Sequence, residues 1–167
     1  YKRCHKTLIQ KGKQKRQSFF DVVDVMGGDR QRAQLVVEQR PGVLLSKQIE
    51  PAVAFLVSEV MGGDRERALR LVDQSPQMLT SKSIKQAWSE LCNEVMEGDV
   101  DRARQLVEQN PMILSSTLVA SSFEDLVSAV TAGDKDAARQ LVEQDTDLLR
   151  TKQAPAAFAF LVTEVMG

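Results

Sequence analysis

The dipeptide Gly-Asp occurs at Gly28-Asp29, Gly63-Asp64, Gly98-Asp99 and Gly133-Asp134, each copy 35 residues after the one before. A fixed period of roughly 20 to 50 residues means that one supersecondary unit is built repeatedly, each copy burying its apolar face against its neighbours. The period leaves little room for a closed sheet or a single layered core.

The residues between the Gly-Asp pairs identify the unit. Val53, Leu56, Val57, Val60 and Met61 recur as Trp88, Leu91, Cys92, Val95 and Met96, then as Phe123, Leu126, Val127 and Val130, and again as Phe158, Leu161, Val162, Val165 and Met166. These steps of three, one, three and one are the stripe of an amphipathic helix. Pro51 and Pro155 lie at or just before its start, where a missing N–H costs little. The glycine is suited to close this first helix and the aspartate to cap the next.

The second helix carries Ala33, Val36, Val37; Ala68, Leu71, Val72; Ala103, Leu106, Val107; and Ala138, Leu141, Val142. The repeated alanine marks the close approach of the two helices of a hairpin. Pro41, Pro76 and Pro111 stop the helix, with Thr146 in the fourth copy, and two apolar residues follow each time, as in Met78-Leu79. A short 3₁₀ turn under the hairpin would bury them.

The fold expected is all-α: a right- or left-handed α-solenoid of 35-residue hairpins, about four and a half of them, on the order of 40 Å long. Residues 1–16 read as a basic arm and 17–167 as the solenoid, with repeats over about 17–50, 51–85, 86–120 and 121–155 and a partial one at 156–167. Val165-Met166-Gly167 repeats Val60-Met61-Gly62, so the chain reads as an excerpt of a longer array. Phe158, Leu161 and Val162 would then lie on a partly uncovered edge that a neighbour can contact.

Charge separates the arm from the rest. Lys2, Arg3, Lys6, Lys11, Lys13, Lys15 and Arg16 stand in residues 1–16 without an acid; of 22 basic residues this leaves 15 against 23 acidic ones, a net of −8. The seven bases are candidate contacts to an anionic partner. Even the longest unbroken apolar run, residues 156–162, is far below the roughly 20 residues that cross a bilayer, and residues 52–57 are shorter still. No transmembrane segment is expected, although peripheral membrane association is compatible with the arm.

Helical hairpins of about this length occur in three repeat families. Trp88 and Leu91 resemble the first helix of a tetratricopeptide unit, and the spacing of Gly98, Ala103 and Leu106 is closer to pentatricopeptide repeats. The places through which a pentatricopeptide array reads RNA hold Ala54, Ser89 and Glu124, and Ile49, Ile84 and Val119, so a base-reading code is absent. The segment from Glu50-Pro51 to Leu79 looks most like the repeats of mitochondrial transcription termination factors. That family closes its second helix with proline, two variable residues and leucine, as in Pro41-Gly42-Val43-Leu44, Pro76-Gln77-Met78-Leu79 and Pro111-Met112-Ile113-Leu114. The resemblance implies an organellar protein, in a chloroplast or mitochondrion, and nucleic-acid binding along a basic concave face. A solenoid of net −8 disfavours that activity, because phosphate contacts supply most non-specific affinity.

His5, the sole histidine, lies in the arm, so no Ser-His-Asp or Cys-His arrangement can form within the repeats. No catalytic residue, cofactor or metal site is expected. The repeated aspartates read as helix caps, and Cys92 as a reduced, buried thiol. An acid-glutamine pair recurs near the end of each second helix: Glu38-Gln39, Asp73-Gln74, Glu108-Gln109 and Glu143-Gln144. An acid there opposes the helix dipole. Arg70, Arg104 and Arg139, three or four residues earlier, are expected to compensate it. Gln39, Gln74, Gln109 and Gln144 remain as a polar row for partner recognition. The function expected is a non-catalytic scaffold joining protein subunits of an organellar, and by family bias photosynthetic, assembly.

Overall fold

A computed structural model describes residues 19–151, and all the regular structure in them is helical. Among the described residues there is no strand. The chain divides into two compact units, Tyr1–Thr80 and Ser81–Gly167.

In the first unit α1 (19–25) is followed by α2 (Arg30–Gln39) and a 3₁₀ turn, Pro41–Leu45. Then come α3 (Ile49–Phe55), α4 (Arg65–Gln74) and a second 3₁₀ turn, Pro76–Thr80. The second unit holds α5 (Ile84–Glu90), α6 (Val100–Gln109), the turn Pro111–Ser115, α7 (Val119–Asp125), α8 (Lys135–Gln144) and the turn Thr146–Arg150. Proline or threonine thus opens a 3₁₀ turn after every second helix, where the apolar pairs place them. Met78, Leu79, Ile113, Leu114 and Leu149 are fully buried.

The Gly-Asp pairs do what their chemistry suggests. Asp29, Asp64, Asp99 and Asp134 each accept a hydrogen bond at 3.0 Å from the backbone N–H three residues on. Each satisfies one donor that a helix N-terminus leaves orphaned, worth about 1 kcal/mol. The turn needs two successive left-handed residues. Gly62 and Gly63 supply them at φ 61° and 98°, whereas in the second unit the first place falls to Glu97 (φ 50°) and Ala132 (φ 51°).

Two details differ from the helical pattern. The first helix of a hairpin begins at Ile49, Ile84 and Val119, so Pro51 is the third residue of α3 and lies within the first turn, where it still removes no helical bond. The same helices end in a π turn, over Leu56–Val60, Leu91–Val95 and Leu126–Val130. Their last bonds are one residue wider than α: Met61 N–H donates to Leu56 O at 2.8 Å, and Met96 N–H to Leu91 O at 2.9 Å. In α1 the corresponding bond, Met26 N–H to Val22 O at 2.9 Å, is an ordinary α bond. There Val23 is buried, whereas Ser58, Asn93 and Ser128 at the equivalent place are exposed.

The core follows the apolar stripes. Ala33, Ala68, Ala103 and Ala138 have no exposed surface, consistent with close helix approach, and Leu56, Leu91 and Leu126 on the first helices are also fully buried. Trp88 is 8% exposed and is part of the core. Asp21, at a core position in the other copies, is exposed, so the first hairpin has a wetter face.

Candidate protein-binding face

Within each unit the second helices of the hairpins carry a repeating exposed stripe. Counting from each capping aspartate, the second, sixth and tenth residues lie four apart and therefore on one side of the helix. They are Gln31, Leu35, Gln39 on α2; Glu66, Arg70, Gln74 on α4; Asp101, Gln105, Gln109 on α6; and Asp136, Gln140, Gln144 on α8, and all twelve are exposed. The candidate glutamines Gln39, Gln74, Gln109 and Gln144 thus close the stripe on every hairpin, and their side-chain amides make no hydrogen bond to another described residue. Sequence reasoning missed Gln105 and Gln140. Their signal is simple: each stands four residues before a glutamine already singled out.

The remaining candidates fall elsewhere. Lys2, Arg3, Lys6, Lys11, Lys13, Lys15 and Arg16, and Phe158, Leu161 and Val162, lie outside the described residues.

Two of the acids beside the glutamines, Asp73 and Glu143, are held across hairpins and not within one helix, which corrects the expected pairing for Arg70 and Arg139. Asp73 meets Arg32 of the preceding hairpin, Nε to Oδ2, at 3.0 Å, and the same guanidinium takes Glu66 at 3.0 and 3.4 Å. Glu143 meets Arg102 of the preceding hairpin at 2.5 Å through Nη2 and 2.9 Å through Nε. Arg139, expected opposite Glu143, points back instead. Its Nε donates to Val95 O at 2.7 Å, its Nη1 to Asp136 at 2.5 Å, and its Nη2 faces the Glu97 carboxylate. The physical reason is access: Arg139 is 7% exposed in the hairpin interface, where the open carbonyls at the end of the π turn need a donor. Arg65 does the same for α1, donating to Val25 O at 2.9 Å. Glu38, in the first hairpin, is held by Gln34 at 2.8 Å.

These pairs set the local electrostatics. The Arg32 hydrogen bond holds Glu66 below the usual carboxylate range, while burial pushes Asp73 up despite the same arginine. Hydrogen bonds from Asn110 and then Arg150 lower Asp147. Burial raises the Cys92 thiol to about 11, so it stays protonated near neutral pH and is a poor nucleophile.

Other features are few. Met112, Ser115, Ser116, Thr117, Leu118 and Arg150 line an open cleft of about 250 Å³ in the second unit, where Arg150 is occupied by Asp147 at 2.7 Å. Among the described residues no group of three or more His, Cys, Asp or Glu is placed to hold a metal ion, and no helix is long and apolar enough to cross a membrane. The chain matches no family model, no curated protein and no solved structure.

Proposed function

We propose that the chain is a non-catalytic scaffold whose hairpins form one α-solenoid and whose outward second-helix stripes bind other protein subunits. The observation that carries this reading is the recurrence of an exposed glutamine at four equivalent places, Gln39, Gln74, Gln109 and Gln144, none engaged by another described side chain. Arg32, Arg102 and Arg139 and the acids Asp73 and Glu143 are engaged internally, whereas the glutamines recur on each second helix without such a partner. The stacking of hairpins into one array is supported by the register of the charges. Within each unit the same two places of the 35-residue period are paired, Arg32 with Asp73 and Arg102 with Glu143.

The resemblance to termination-factor repeats makes an organelle interior the setting we favour, with a chloroplast or mitochondrion equally compatible. It also defines the competing reading, a nucleic-acid-binding protein of that kind. The excess of 23 acids over 15 bases beyond residue 16 weighs against it.

The test is affinity isolation of the tagged chain from its native source after mild cross-linking, with and without nuclease. Protein subunits recovered in fixed proportion and indifferent to nuclease are expected. Recovery as a free monomer contradicts the scaffold; recovery that is lost with nuclease, together with affinity for DNA or RNA that falls steeply with salt, favours the competing reading.

A further inference from the structure

We infer that the two Asp-Gln-Gln stripes on α6 and α8 form a seat for an extended, lysine- or arginine-bearing segment of a partner protein. The inference rests on the scaffold reading and names the face and the class of partner. Asp101, Gln105 and Gln109 on α6 are matched residue for residue by Asp136, Gln140 and Gln144 on α8, and all six are exposed. The two helices are clasped in the same chain order, Arg102 to Glu143 at 2.5 Å and Asn110 to Thr146 and Asp147 at 3.1 and 2.8 Å, so they run in the same direction.

The geometry suits an extended main chain. Residues four apart on a helix rise about 6 Å, close to the 6.6 to 6.8 Å spanned by two strand residues. The Arg102–Glu143 and Asn110–Asp147 bonds make α6 and α8 neighbours through their side chains. A strand lying between the stripes therefore meets amide groups on both of its edges, where its N–H and C=O groups point. Each glutamine amide offers both a donor and an acceptor, matching a peptide group.

Charge sets the side chains of the occupant. Residues 81–151 carry 13 acidic against 7 basic residues, a net of −6. The side chains of Asp101 and Asp136 are 85% exposed, although each also holds an arginine three residues on. They lie at the same end of both stripes and favour a cationic side chain there. Nucleic acid is disfavoured by the same charges.

The test uses the full chain and a fluorescein-labelled peptide of about ten alternating threonine and lysine residues, followed by fluorescence anisotropy. Saturable binding is expected, and Gln105→Ala, Gln109→Ala, Gln140→Ala and Gln144→Ala combined should weaken it about tenfold or more. A control pair on the first helices, Glu94→Gln with Glu124→Gln, should change it by less than about twofold, since exposed charges act weakly at a distance. No saturable binding below about 1 mM, equal affinity in the four-alanine variant, or an equal loss in the control pair would overturn the assignment. A natural subunit that still binds the four-alanine variant would overturn this seat and leave the scaffold standing.

Discussion

Arg139 Nε donates to the carbonyl oxygen of Val95 at 2.7 Å, joining the second helix of one hairpin to the π turn that ends the first helix of the hairpin before it. At 7% exposure the guanidinium is nearly out of water, and the Asp136 and Glu97 carboxylates face it. Arg139→Ala leaves the Val95 carbonyl without its donor and opens a cavity at the interface, while the exposed Asp136 and Glu97 carboxylates return to water. It should cost about 2 to 4 kcal/mol in urea unfolding, and Arg139→Lys less, since one donor can still reach a partner.

Ala132 and Glu97 share a left-handed backbone place at φ 51° and 50°. Ala132→Gly should therefore stabilise the chain by up to about 1 kcal/mol. Glu97→Gly relieves the same strain but removes a partner of Arg139, so its gain should be smaller or reversed. Equal gains at both positions in thermal unfolding would contradict the role given to the Arg139–Glu97 pair.

Ser122 is fully buried and its Oγ has no hydrogen-bond partner among the described residues, while Ala52 and Ala87 hold the equivalent place. Ser122→Ala should be neutral or stabilising, by up to about 1 kcal/mol, because the desolvated hydroxyl is removed and the volume hardly changes. A loss above about 1 kcal/mol would mean the hydroxyl has a partner, such as an ordered water.

Asp147 is held below its ordinary range by the Asn110 amide first and Arg150 second. A lowered folded pKa gives stability that is present above the unfolded value, about 3.9, and lost as pH falls through the folded value. Asn110→Ala should raise the Asp147 pKa toward about 3.9 in an NMR titration and make the acid-side loss of stability shallower. An unchanged pKa would show that Arg150 alone sets it.

How far the sequence foretells all this depends on the range of each interaction. Gly63-Asp64 and Pro76-Gln77-Met78-Leu79 act within a few residues, and their turn, cap and 3₁₀ element are where the local chemistry places them. The π turns are not legible, because the i+5 bond from Met61 to Leu56 leaves the apolar spacing unchanged. The partner of Glu143 was misassigned for a related reason. Helical spacing offers Arg139 four residues away, but stacking brings Arg102 from 41 residues away. The glutamine row was visible as a pattern; that Gln105 and Gln140 extend it follows only once the outward side of the helix is known.

The measurement that bears most directly on the scaffold is partner recovery by Gln39→Ala, Gln74→Ala, Gln109→Ala and Gln144→Ala combined. These four side chains are exposed and support nothing else among the described residues, so each change should shift folding stability by no more than about 0.5 kcal/mol. At that unchanged stability the account predicts that the subunits captured by the unaltered chain are lost or sharply reduced. Recovery of the same subunits in the same amount would contradict it.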